Sequence, residues 1–121
     1  MSHHRVYLDY IRDMLESAEK ALQFVEGMKF EEFVGDEKTV YAVIRALEII
    51  GEAARKIPTD LRDTYSEIPW REITGTRDKL IHGYFGVNSS VVWRAVKEDL
   101  PVLVKQLQNI LDTYSLGDNR S

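Results

Sequence analysis

An all-α bundle is the fold class this 121-residue sequence predicts. Apolar residues recur three and four apart over long stretches, which draws continuous stripes on helices. No stretch alternates convincingly with the period of two that a half-buried strand requires. No internal repeat of solenoid length is visible, and the chain length suits one domain, residues 1–121, with an ordered core of about 5–112.

The first helix is predicted from about Arg5 to Glu26, with Leu8, Ile11, Leu15, Ala18, Leu22 and Val25 as its stripe and Gly27 as its end. Its other face carries Arg12, Glu16 and Lys20, four apart with alternating sign, as an exposed helix face does. Met28 to Gly35 reads as a connection. The second helix starts at an Asp36 cap with Glu37 in its first turn. Its stripe is Val40, Val43, Ile44, Leu47, Ile50 and Ala54, widened by Ala46 and Ile49, so more than one neighbour should pack against it. Gly51 falls on that stripe at a cost of about 1 kcal/mol against alanine, and close approach of another helix is the favoured reason.

Pro58 should end this helix, and Thr59 should cap a short one reaching Tyr65. Pro69 and Trp70 open a further helix that continues through Ile73, Arg77, Leu80 and Ile81 and fails near Gly83 or Gly86. Asn88-Ser89-Ser90 caps a long last helix carrying Val92, Val96, Leu100, Leu103, Leu107 and Leu111. Pro101 lies inside it and should kink or restart it. Met1–His4 and Leu116–Ser121 read as frayed ends. The prediction is four main helices and one or two short ones, packed as a bundle.

Composition narrows the function classes. With 44% apolar and 30% charged residues the balance is globular. Cysteine is absent, so there is no disulfide framework and no thiolate metal site. No apolar run is long enough to span a bilayer and no basic-then-apolar leader opens the sequence, so a cytoplasmic protein without a membrane partner is expected. The net charge of −4 argues against gripping duplex nucleic acid with the whole surface. Any RNA contact must be local, in a cleft that gathers a few arginines.

One segment holds an unusual set of side chains: Arg77-Asp78-Lys79-Leu80-Ile81-His82-Gly83-Tyr84. His82 is the only histidine inside the predicted fold, since His3 and His4 lie in the N-terminal end, where an adjacent pair could bind a stray metal ion but is not expected to be a native metal site. Asp78 is four residues before His82 and shares its helix face, so a carboxylate there orients the imidazole or raises its pKa. Arg77 lies about 140° around the helix from His82 and meets it only through its long stem or a frayed end. Arginine clamps phosphate, and histidine moves protons near neutrality. Together they suit phosphodiester cleavage in RNA without a metal or a cofactor. One histidine is a poor acid and base at once, and a twofold dimer placing two His82 and two Arg77 in one cleft removes that difficulty. The plainer reading also stands: a histidine near a helix end often caps it, and Arg77 with Asp78 serves equally as surface charge.

Elsewhere, Arg45, Glu48, Glu52 and Arg55 form a polar ladder on the second helix. Salt-bridging is the leading reading, with Arg45 and neighbouring Glu48 as candidates to line an active cleft. Trp70 and Trp93 could stack on bases, although a core or interface position is the safer reading.

The string Arg77-x4-His82-x-Tyr84 resembles the R-x4-6-H signature of HEPN domains, and the added tyrosine resembles the HepT-like branch, toxins of toxin–antitoxin pairs. Two other stretches resemble the same branch: Ala46-Leu47-Glu48-Ile49-Ile50-Gly51-Glu52-Ala53-Ala54, and Val92-Trp93-Arg94-Ala95-Val96-Lys97-Glu98-Asp99-Leu100-Pro101. The likeness covers roughly residues 5–112. It implies a HEPN-type up-down bundle acting as a homodimer, with metal-independent endoribonuclease activity at the dimer cleft. Arg77 and His82 would be the catalytic pair, with Asp78 assisting. It further implies a type VII-like system in which a minimal nucleotidyltransferase antitoxin of the MntA type transfers AMP to Tyr84. Phosphate beside an RNA cleft repels substrate. Two other functions remain compatible: a HEPN module that binds nucleotide or RNA without cutting, and a silent helical dimer that only partners the nucleotidyltransferase.

Overall fold

Helix α1 (His3–Phe24) is the element on which the rest is assembled. The computed structural model describes residues 3–75 and 88–120, with side chains from Tyr7 to Gly75 and from Asn88 to Ser115. Among them every regular element is helical, as the periodicity predicts. The order is α1, α2 (Phe30–Gly35), α3 (Glu37–Arg55), α4 (Thr59–Thr64), α5 (described over residues 70–75), α6 (Ser89–Arg94), a π-helical stretch (Ala95–Asp99) and α7 (Leu100–Arg120). No helix among the described residues is long and apolar enough to cross a membrane.

Two long helices, α3 and α7, pack chiefly on α1 and not on each other. This explains why α1 buries more than its predicted stripe. Leu8, Ile11, Leu15, Ala18 and Val25 are buried as expected, but so are Met14 and Ala21, because a helix with a neighbour on each side needs a broader apolar face. Leu22 is only half-buried. The predicted partner of Arg12 differs: its guanidinium meets Asp9 at 2.9 Å, while Glu16 pairs with Lys20 at 3.2 Å. Gly27 closes the turn after α1 with φ +77°, a left-handed conformation that suits glycine at a helix end.

The segment read as a connection contains a helix, α2. Six residues are too few to show a period, so the signal was below what a pattern can carry. Its start is fixed by the Glu32 carboxylate, which accepts a hydrogen bond from the Lys29 N–H at 2.8 Å. Its purpose is to deliver Phe33, fully buried, against Trp93 with ring centroids 5.2 Å apart, while Phe30 meets the same indole edge-on at 6.0 Å.

Asp36 caps α3 as predicted. Its carboxylate accepts from the Thr39 hydroxyl at 2.8 Å and from the Thr39 N–H at 3.1 Å. These two bonds, the hydroxyl first, hold the carboxyl below its ordinary 3.8. α3 packs against α1, α2 and α6, which accounts for its wide apolar face, and Gly51 is buried within it. At its far end Arg62 reaches back to the α3 terminus, donating from Nη2 to the Ala54 carbonyl at 2.7 Å and from Nε to the Ile57 carbonyl at 3.0 Å.

Thr59 does not cap α4. Pro58 occupies the cap position in extended backbone, and its carbonyl accepts from the Arg62 N–H at 3.1 Å. Pro69 stands likewise one residue before the first turn of α5, accepting from the Ile73 N–H at 3.0 Å. The fixed φ of proline matches either position, so spacing alone placed the start of α4 one residue too late and that of α5 one residue too early.

Asn88 caps the last helical rod, its side-chain oxygen accepting from the Ser90 N–H at 3.0 Å. The rod runs to Arg120, past the predicted fraying point at Leu116. The chain stays helical through Pro101, with α7 resuming at Leu100 after the π-helical stretch, close to the restart expected there. Pro101 offers no N–H to the carbonyl four residues earlier, and the turn just before it widens into a π-helix, with the Leu100 N–H bonding to the Ala95 carbonyl five residues back. Val92, Val96, Leu100, Leu103 and Leu107 stay buried through the change.

Candidate functional site

Arg77, Asp78, His82 and Tyr84 lie outside the described residues. The described chain on either side supplies two anchored posts. Upstream, Trp70 is buried and its indole N–H donates to the Tyr65 carbonyl at 3.0 Å. The Arg62 guanidinium stands 5.9 Å from the centre of the same ring, tying α5 to the end of α3. Downstream, the Asn88 cap fixes the first turn of α6. Both tryptophans are structural side chains in this arrangement: Trp70 through its carbonyl partner, Trp93 through Phe30 and Phe33, with the Lys97 ammonium 5.3 Å from its ring centre.

Arg45 and Glu48, expected to line a cleft, sit on α3. Arg45 Nη1 lies 3.8 Å from Glu52 Oε1, with the two side chains 61% and 43% exposed. That is the salt bridge the ladder suggested, and at this exposure it contributes little to stability. Glu48 is half-buried on the same helix. Neither is brought to another predicted site residue within the described chain. Among the described residues no three His, Asp or Glu side chains converge at metal-ligand spacing.

A larger feature was not foreseen. Because α3 and α7 both lean on α1, a groove of about 500 Å³ opens between them, closed at one side by the α4–α5 connection. Leu47 and Ile50 from α3 and Leu100 and Leu103 from α7 form its floor, with Val102 on the wall. Its rim carries Glu67, Glu72, Glu98 and Asp99. All four are exposed, and Gln106 donates from Nε2 to the Glu67 carbonyl at 3.3 Å. The carboxylates come from three separate stretches of chain, so no local pattern announces them. A second, more polar cleft of about 420 Å³ lies beside Val34, Tyr41 and Ser89.

Comparison with known proteins identifies the family. A family profile described as "Ribonuclease HepT-like" matches residues 14–110. A Thermococcus cleftensis protein named "Probable ribonuclease HepT" is 49% identical over 106 residues, 88% of this chain and 96% of that protein. A Methanocaldococcus jannaschii protein bearing an RNase name is 41% identical over 112 residues, 93% of each chain. Another with an RNase name, from Caldanaerobacter subterraneus subsp. tengcongensis, is 44% identical over 102 residues, 84% of this chain and 91% of its own. No solved structure gives a significant match.

Proposed function

This chain belongs to the HepT-like ribonuclease family, and from that premise we propose that it is a metal-independent endoribonuclease acting at a site shared across a homodimer. The observation that carries the reading is the string Arg77-x4-His82-x-Tyr84 within a chain of that family.

His82 of one protomer takes the proton of an RNA 2′-hydroxyl. The 2′-oxygen attacks phosphorus, and the bond from phosphorus to the 5′-oxygen breaks. His82 of the partner subunit protonates the departing oxygen. Arg77 stabilises the extra negative charge on the pentacoordinate phosphorus. Asp78 orients the imidazole. The products are a 2′,3′-cyclic phosphate and a free 5′-hydroxyl. Regulation follows from Tyr84: a nucleotidyltransferase antitoxin transfers AMP from ATP to its phenol oxygen and releases pyrophosphate. The phenol, with an ordinary pKa near 10, needs that enzyme to activate it. The added phosphate then excludes RNA by bulk and repulsion. The chain is thus the toxin of a toxin–antitoxin pair.

Cleavage of RNA in EDTA by the unmodified protein, with the two product ends identified, tests the chemistry. Arg77→Ala and His82→Ala should each abolish it. Equal cutting by all three proteins, or by none, sinks the assignment. Mass spectra after incubation with the antitoxin and ATP should place an adenylyl group on Tyr84, and an adduct mapped elsewhere contradicts the regulatory role.

A further inference from the structure

The Arg62 side chain joins three helices, and we propose that it is a positioning residue for the reaction, setting the direction in which the chain leaves α5 for Arg77 and His82. This role rests on the reading above that those two residues cut RNA.

Arg62 belongs to α4. Its Nη2 donates to the Ala54 carbonyl at 2.7 Å and its Nε to the Ile57 carbonyl at 3.0 Å, at the C-terminal end of α3. The same guanidinium stands 5.9 Å from the centre of the Trp70 ring, in the first turn of α5. α3 is the firm side of this joint, because it packs along α1. Trp70 is locked in turn. It is buried, its indole N–H donates to the Tyr65 carbonyl at 3.0 Å, and its backbone N–H donates to the Ile68 carbonyl at 2.8 Å. A guanidinium suits such a joint, since its planar fork offers several donors at fixed angles and a flat face to a ring. A lysine keeps the charge and loses the fork.

Satisfying the last carbonyls of α3 explains the two hydrogen bonds. It does not explain the ring. Of the described α5 residues Trp70 alone is buried, Ile73 is half-buried, and Arg71 and Glu72 are exposed. A Cβ added at Gly75 meets nothing within 4 Å among the described residues. The hold on α5 is thus concentrated in its first turn, where Arg62 acts. Gly75 stands two residues before Arg77 and seven before His82 in the sequence, so the covalent chain carries the aim of that turn toward both. Aim matters to rate, since a displacement of about 1 Å at a reacting group can cost about a hundredfold. Ala54 is also the last residue of the family-like stretch Ala46–Ala54, which the proposed reaction leaves without a role. Arg62 gives it one, as the fixed end from which α5 is aimed.

The test measures kcat and KM for RNA cleavage in EDTA by the parent, Arg62→Lys, Arg62→Met and His82→Ala. Asp36→Ala, which removes two hydrogen bonds at the opposite end of α3, is the control. Circular dichroism melts fix a temperature at which all are folded, and the Trp70 indole N–H resonance reports on the anchor itself. Arg62→Met should lower kcat by about tenfold or more with KM unchanged, and Arg62→Lys should fall between it and the parent. Both should shift the Trp70 resonance, whereas Asp36→Ala should change neither kcat nor the resonance. Parental kcat in Arg62→Met overturns the positioning role, while cleavage by the parent and not by His82→Ala leaves the ribonuclease reading intact. An unmoved Trp70 resonance also overturns it, and an equal fall of kcat in Asp36→Ala does so in favour of stability alone. If Arg62→Met does not fold, Arg62→Lys decides by the same criteria. A folded parent that cuts no RNA sinks the ribonuclease reading and the positioning role with it.

Discussion

Glu67, Glu72, Glu98 and Asp99 gather around one groove, assembled from distant parts of the chain, whereas Arg77, His82 and Tyr84 gather within one short run of sequence. The first cluster is visible only once the chain is folded. The second is visible only as a motif. The difference teaches how to read a net charge of −4 on a chain proposed to cut RNA. Whole-chain charge is an average, and part of the acidic side of it stands around this groove. An acidic whole-chain charge therefore does not by itself argue against a local set of groups such as Arg77 and His82.

This contrast can be broken at the scaffold first. Phe33 is fully buried and holds Trp93, which lies on the same rod as Glu98 and Asp99. Phe33→Ala should cost about 3–5 kcal/mol of stability in denaturant unfolding. Unfolding at the parental midpoint would mean that the rod does not depend on the α2 anchor.

A smaller effect separates the two regions electrostatically. The rim variant Glu67→Gln/Glu72→Gln/Glu98→Gln/Asp99→Asn is neutral overall, so it should cleave RNA at least as fast as the parent and severalfold faster at low ionic strength, where long-range repulsion is least screened. High salt should erase the gain. A loss of cleavage would place the groove in the RNA path and undo the contrast.

The smallest effect concerns a carboxylate that works locally. Asp36→Ala removes the α3 cap and should lower the melting temperature slightly at neutral pH. The folded-state pKa of Asp36 lies below its ordinary 3.8, so its contribution is complete above that value and fades as pH falls through the folded pKa. Melting curves of parent and variant should therefore converge at acid pH. A difference that grows on acidification contradicts the cap assignment.

Much of the scaffold was legible before folding. Leu8 to Val25, Val43 to Ala54 and Val92 to Leu107 repeat with helical period because each faces one continuous core, and that constraint is written locally. Met14 and Ala21 escaped because their burial depends on a second neighbour, which a single stripe does not reveal. α2 escaped because a helix of six residues has no period. Pro101 reads as a kink or restart, but the π-helical form that this takes depends on the rod being held by its packing on either side. The candidate site divides the same way. Arg77, Asp78, His82 and Tyr84 were legible as residue types at a spacing, and their arrangement lies outside the described residues. The groove carboxylates were not legible at all, since Glu67, Glu72 and the Glu98-Asp99 pair have no relation until α3 and α7 are laid on α1.

The central claim is that His82 moves protons during RNA cleavage without a metal. The most direct test measures single-turnover cleavage of one RNA in EDTA by the parent and by His82→Ala, with the rim variant alongside. The account predicts 2′,3′-cyclic phosphate ends from the parent and the rim variant, and a rate lower by about a hundredfold or more for His82→Ala. Cleavage by His82→Ala at the parental rate, or a parent that cuts only after metal is restored, contradicts it.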